Sequence, residues 1–206
     1  IFAHPARPST VINSVCNAMV ASGSTIEFRK YWHSSMGDHP LKPSAQQLMQ
    51  DRMRPRTECN LRINLFAKDQ AEPTVVASAA THIPIAGEVN VAKYLCRSAC
   101  PSLYPDDFVQ ATMIDQHIDN AAQIADSSDR NLKILLKDTN TFLGKNDFLC
   151  GSTPTLADLV LYAAAVEKPP AGLSNIKKWI KRVAELPFLS VTGATEDAVS
   201  AVDNEA

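Results

Sequence analysis

Apolar residues recur at helical spacing near the start of the chain and again through its second half, with mixed rhythms between. Val11, Ile12, Val15, Met19 and Val20 predict a first helix, capped by Ser9 or Thr10 and closed at Gly23. Thr25 to Tyr31 alternates apolar and polar residues, the period-two rhythm of a strand. Residues 34–57 keep no clear period and carry Pro40, Pro43 and Pro55, so loops around one short helix, Ala45–Met53, are expected there. Leu61–Phe66 and Thr74–Ala79 read as two strands of an antiparallel hairpin, separated by a turn holding Asp69 and Pro73. Gly87–Arg97 then sets Val91, Tyr94 and Leu95 on one helical face.

Beyond a linker at residues 98–107 the pattern is wholly helical. Ala111, Ile114, Ile118, Ala121 and Ala125 step by three and four, as a core-facing stripe does. Leu132, Leu135, Leu136, Thr139 and Leu143 repeat that rhythm on a second helix ended by Gly144. Leu156, Leu159, Val160 and Ala163 belong to a third helix that is apolar nearly all round, so it is expected at the buried centre and to stop at Pro169-Pro170. A last helix carries Ile176, Trp179, Ile180 and Val183 and ends before Pro187. The residues after Thr192 include Glu196, Asp197, Asp203 and Glu205 and no basic side chain, which predicts a mobile tail. The expected organisation is an α/β half over residues 1–97, a helical half over 98–190 and an acidic tail over 191–206.

Composition narrows the function classes. Hydrophobic residues make up 45% and charged residues 20% of the 206, with a net charge of −2, so nothing global points to nucleic acid or to an anionic membrane. No apolar run approaches the roughly 18 residues of a membrane span. The chain opens on Ile1 rather than Met and shows no signal-peptide pattern, so the 206 residues are expected to belong to a longer protein. Five scattered cysteines without a CxxC pair suit a reducing cytosol better than a disulfide scaffold. Cys96 and Cys100, four apart, are expected on one helix face as small apolar residues.

Few side-chain groupings suggest chemistry. His33, Asp38 and His39 match no standard metal-site spacing, and a solvated loop is the simpler account. Arg52, Arg54 and Arg56 form a basic cluster that fits an exposed loop face. Thr155-Leu-Ala-Asp158 has the shape of a capping box: the Thr side chain accepts from the backbone three residues on, and the acidic side chain reaches back. Because this box opens a helix expected to be buried, losing the Thr cap should cost about 1–2 kcal/mol.

The stretch Phe142-Leu-Gly-Lys-Asn-Asp-Phe-Leu-Cys-Gly-Ser-Thr-Pro-Thr-Leu-Ala-Asp-Leu-Val-Leu resembles the helical half of glutathione-transferase-like domains, where a helix end leads through a threonine cap into the central helix. Asn175–Trp179 resembles the helix that follows, and Gly87–Leu95 the helix after a thioredoxin-like hairpin. The resemblance covers about residues 8–190 and implies a glutathione-transferase-like fold, with a thioredoxin-like N-terminal half and an all-α C-terminal half.

That family's enzymes need an activating Tyr, Ser or Cys near the start, a cis-proline before the third strand, and an acidic-Ser/Thr pair opening the third helix. Here the pair reads Gly87-Glu88, so a carboxylate replaces the hydroxyl and brings repulsion to a substrate carboxylate. Cys59-Asn60 stand before the strand taken as the third, with Pro73 and Pro84 elsewhere, and no clear first strand leads into Ser9, which reads as a helix cap. The thiol site therefore looks lost, and no catalytic residue, cofactor or metal is expected. Domains of this kind recur in the translation machinery, and the residues Ile85–Leu95, Met113–Asp115, Leu143–Lys145, Leu149–Gly151, Thr155–Leu159 and Asn175–Trp179 resemble the scaffold subunits of the multi-aminoacyl-tRNA synthetase complex.

The resemblance implies a non-catalytic, cytosolic scaffold, with the nucleus as a second compartment left open. The implied partners are glutamyl-prolyl-, aspartyl- and lysyl-tRNA synthetases, the last through an N-terminal region outside these residues, and other like-folded subunits. It carries Glu88, Asn90, Lys93 and Arg97 as interface candidates on one helix. Lys177, Lys178, Lys181 and Arg182 are the candidates on the last helix, while Thr155 and Asp158 are structural. An active glutathione transferase or thiol enzyme of the same fold is the alternative, and a subunit of the elongation factor 1 type a third.

Overall fold

The computed structural model describes residues 1–189 apart from 8, 43, 45, 47–57, 79, 81, 82 and 169–171. The expected short helix at Ala45–Met53, the Arg52, Arg54 and Arg56 cluster, the Pro169-Pro170 stop and the acidic tail lie outside the described residues.

Among the described residues five strands form one sheet: β1 (Phe2–Ala3), β2 (Ile26–Trp32), β3 (Leu61–Ala67), β4 (Thr74–Val76) and β5 (Pro84–Ala86). Their order is β2-β3-β1-β4-β5. This corrects the expected hairpin. Leu61–Ala67 does not pair with Thr74; it runs parallel to β2 along all seven residues and, on its other side, parallel to β1. The antiparallel hairpin is β4 with β5, Val75 opposite Ile85. The physical reason is that both edges of β3 are taken: β2 pairs with all seven of its residues, and β1 stands between it and β4. The strand that seemed missing before Ser9 is β1. Two residues are too few to show a period, yet β1 holds the sheet together between β3 and β4.

α1 (Thr10–Ala21) starts at Ser9, whose Oγ accepts from Ile12 N–H at 3.0 Å. Val11, Ile12, Val15 and Met19 are buried, but Val20 is exposed and leaves the expected stripe. α2 (Glu88–Ala99) packs beside α1. Four helices follow: α3 (Phe108–Asp126), α4 (Asp129–Phe142), α5 (Leu156–Glu167) and α6 (Ser174–Ala184). Every residue from Leu156 to Tyr162 is buried, as the all-round apolar pattern predicts, and α5 touches α1, α2, α3 and α6. One core therefore runs from the sheet side through α5 into the helical half. Among the described residues no helix is long and apolar enough to cross a membrane.

The connection between the halves is at least partly exposed along most of its length but is anchored in the core by Cys100, Leu103 and Tyr104. The Leu103 carbonyl accepts from Leu156 N–H at 2.8 Å, satisfying a first-turn donor of α5 that the helix itself cannot. At the other end, Asn140 Oδ1 accepts from Asn175 and Ile176 N–H at 3.0 and 3.2 Å and so caps α6 from α4. Asn175 Nδ2 returns a bond to Asn140 O at 2.9 Å. A Cβ on Gly144 would lie 2.9 Å from Asn175 Nδ2, so this glycine allows a close approach as well as ending a helix.

Candidate functional site

The start of α1 meets the start of α2. Glu88, the first residue of α2, turns its carboxylate onto the start of α1: Ser9 Oγ donates to Glu88 Oε1, and Val11 N–H donates to the same oxygen at 3.2 Å. A carboxylate is favoured there by the unpaired N–H groups and dipole of α1. The Ser9 hydroxyl is engaged twice, since its oxygen also accepts from Ile12 N–H. Glu88 therefore seats its own carboxylate in the place where repulsion toward a substrate carboxylate was expected. The proline expectation also changes. With β3 running parallel inside the sheet, the strand antiparallel to β1 is β4, and Pro73 stands directly before it. The Pro73 carbonyl accepts from Gly87 N–H at 3.0 Å, and no described peptide bond is cis.

The other candidates on α2 divide by what they already hold. Asn90 is exposed and donates to Ala86 O at 2.9 Å, within its own turn. Lys93 lies 2.9 Å from Asp115 Oδ1 of α3. Arg97 is exposed and stacks on the Tyr104 ring at 4.8 Å from its centroid. The buried Tyr104 donates its phenol hydrogen to Asp115, whose two oxygens lie 2.9 and 3.0 Å away. Burial, together with that carboxylate, raises the Tyr104 phenol above its ordinary pKa. Tyr104 and Asp115 did not stand out as site residues in the sequence. A bulky aromatic between Pro101 and Pro105 in a short linker was the available signal.

On α6, Ile176, Trp179, Ile180 and Val183 are buried, so the basic residues face away from the core. Lys178 and Lys181 are exposed and Lys177 is half-buried. Arg182 donates to the Asp147 carbonyl at 2.7 Å and pairs with its carboxylate at 3.2 Å. Among the loop candidates, His33 Nδ1 accepts from Ser35 N–H, His39 Nδ1 accepts from Leu41 N–H, and Asp38 pairs with Lys42. Each is satisfied locally, and the three do not converge on a common point as metal ligands would.

Thr155 and Asp158 form their box around a fully buried carboxylate. Asp158 Oδ2 accepts from Thr155 N–H at 2.9 Å and from Thr155 Oγ1 at 3.0 Å. Its Oδ1 accepts from Leu149 N–H at 3.0 Å and from Trp179 Nε1 at 2.9 Å. Burial pushes the Asp158 carboxyl above its ordinary pKa, and these four bonds oppose the rise. Asp158 thus joins the loop before α5, the α5 start and α6. It is an internal hub with no exposed surface to offer a partner.

Residues 100–187 match the family model described as glutathione S-transferase, C-terminal domain. The chain is 32% identical over 146 residues to the Bos taurus protein named aminoacyl tRNA synthase complex-interacting multifunctional protein 2, covering 68% of this chain and 44% of that protein. It is 27% identical over 198 residues to the Homo sapiens protein of the same name, covering 91% and 59%. The chain thus spans about half the length of these relatives. A delta-class glutathione transferase structure from Nilaparvata lugens aligns with a TM-score of 0.56 at 19% identity, covering 99% of this chain and 96% of that one, which shows the fold alone. The chain therefore has the glutathione-transferase fold, its helical half matches the glutathione S-transferase C-terminal domain model, and it is a relative of the proteins named aminoacyl tRNA synthase complex-interacting multifunctional protein 2.

Proposed function

We propose that the chain is a non-catalytic scaffold domain that helps assemble aminoacyl-tRNA synthetases in the cytosol through protein contacts of its glutathione-transferase-like fold. The observation that carries the non-catalytic reading is the seat of Glu88 on Ser9 and Val11 N–H. A hydroxyl that activates a thiol must give its hydrogen to the thiolate, and Ser9 gives its hydrogen to a carboxylate instead. A second anion brought to the same spot would meet the Glu88 charge, which disfavours ionisation of a thiol there. The relatives' name supplies the scaffold half of the reading. Glutamyl-prolyl- and aspartyl-tRNA synthetases are the proposed partners of these residues, and lysyl-tRNA synthetase is the proposed partner of an N-terminal region outside them. Residues of α2 (Asn90, Lys93 and Arg97) and of α6 (Lys177, Lys178, Lys181 and Arg182) are the proposed contact sites. Glu88 belongs to the same α2 surface, with its carboxylate committed inward.

The experiment is an affinity capture from native cytosol with the chain as bait and partner identification. Enrichment of synthetases supports the reading. Capture of elongation factor subunits in their place would move the chain to that assembly. Retention on immobilised glutathione with turnover of an electrophile would replace the scaffold reading with an enzymatic one.

A further inference from the structure

Resting on the reading above that the α2 surface meets a protein partner, we infer that Arg97 is its specificity determinant, holding a guanidinium ready for an Asp or Glu side chain of the partner. Lys93 and Arg97 stand one turn apart on α2 beside the same Tyr104 ring, with Lys93 Nζ at 5.8 Å and the Arg97 guanidinium at 4.8 Å from its centroid. They are not equivalent. The Lys93 ammonium is paired with Asp115 at 2.9 Å, so its charge is matched inside the chain. Among the described residues no carboxylate lies within ion-pair distance of Arg97. The Asp115 carboxylate is taken by Lys93, which leaves the Arg97 guanidinium without an ion pair among the described residues.

The platform beneath Arg97 is fixed. Tyr104 is 1% exposed, its phenol is held by both oxygens of Asp115, and Arg97 Nη2 lies 3.5 Å from the phenol oxygen. A guanidinium resting on a locked ring has already lost much of its freedom, so little further ordering is needed when a carboxylate docks against its fork. Seven residues before Asp115 on α3, Phe108 is 78% exposed and supplies an apolar contact on the same helix face. The partner that fits is a protein surface carrying an acidic side chain next to an apolar one.

The test titrates the chain with purified glutamyl-prolyl- and aspartyl-tRNA synthetases by calorimetry. Arg97→Lys keeps the charge but loses the planar fork, and should weaken one of the two partners about 5-fold while leaving the other unchanged. Arg97→Glu should weaken that same partner at least about 50-fold, and reversing the partner's contacting carboxylate to lysine should restore binding. Thermal melting of both variants at the wild-type midpoint shows that the fold is intact. Wild-type affinity for both partners in Arg97→Lys and Arg97→Glu overturns the inference while leaving the scaffold reading standing. Binding of tRNA to the free chain that Arg97→Glu abolishes overturns it too, because the guanidinium would then be taking phosphate. Failure of the wild-type chain to bind either synthetase overturns the scaffold reading and this inference with it.

Discussion

Replacing Asp158 by Ala would remove one acceptor group from three buried N–H donors: those of Leu149, Thr155 and Trp179. None has water to turn to, since Asp158 is 0% and Trp179 1% exposed. Stranding a buried donor costs about 1–3 kcal/mol, so three set an upper bound of about 9 kcal/mol. Two effects reduce this. The Thr155 hydroxyl can rotate to another acceptor, and the cost of burying a carboxylate, visible in its raised pKa, disappears with the group. A net loss of about 4 kcal/mol follows, a large part of the roughly 5–15 kcal/mol by which a domain is stable. For a chain of this size it corresponds to a fall of about 8–16 °C in Tm. Asp158→Asn keeps an oxygen for Leu149 and Trp179 but turns an NH2 toward the Thr155 N–H, so its loss should be about 2 kcal/mol. Urea unfolding followed by circular dichroism measures both. A loss below about 1 kcal/mol for Asp158→Ala would refute the hub, because it would mean that the donors find other acceptors at little cost.

Glu88→Ala should cost about 1–2 kcal/mol and speed amide hydrogen exchange at Val11, because Val11 N–H loses its acceptor and α1 frays at its start. Gly144→Ala should destabilise by about 1–3 kcal/mol in urea unfolding, because the added methyl meets Asn175 at 2.9 Å and loosens the cap of α6. Burial lowers the His117 pKa from its ordinary 6.5, so the folded state holds the proton less tightly than the unfolded one. The stability linked to this residue is therefore fully present above that ordinary value and is lost as pH falls below it. His117→Gln should shrink the stability difference between about pH 7.5 and 5.5, measured by urea midpoints, whereas Asp158, whose pKa is raised, acts in the opposite direction.

What the sequence could show followed from how local each feature is. The stripes of α3, α4 and α6 stand out because Ile114, Leu136 and Ile176 each have neighbours on the same face a turn away, and burial follows that face. The capping box is legible because Thr155 and Asp158 are three residues apart. β1 was invisible, since Phe2 and Ala3 carry no period and their place is set by partners more than sixty residues away. The strand at Leu61 is legible as a strand but its neighbour is not, because alternation marks a strand without naming its partner. Glu88 had a defined role only once residue 9 came against it, 79 positions distant. The Trp179 bond to Asp158 has its own signal in the sequence: a core-stripe indole needs an acceptor, and a buried box carboxylate needs donors. Arg97 could be placed on its helix from sequence, but its support by Tyr104 depends on the fold of a linker that has no periodicity.

The central claim is that this fold serves assembly, with its thiol position closed by Glu88. Native mass spectrometry of the chain mixed with glutamyl-prolyl-tRNA synthetase and with aspartyl-tRNA synthetase, each with and without millimolar glutathione, tests it most directly. The account predicts a discrete complex with at least one synthetase, of the stability expected when about 1,200–2,000 Å² is buried, and no glutathione retained on the free chain. A chain that carries bound glutathione and forms a complex with neither synthetase would contradict it.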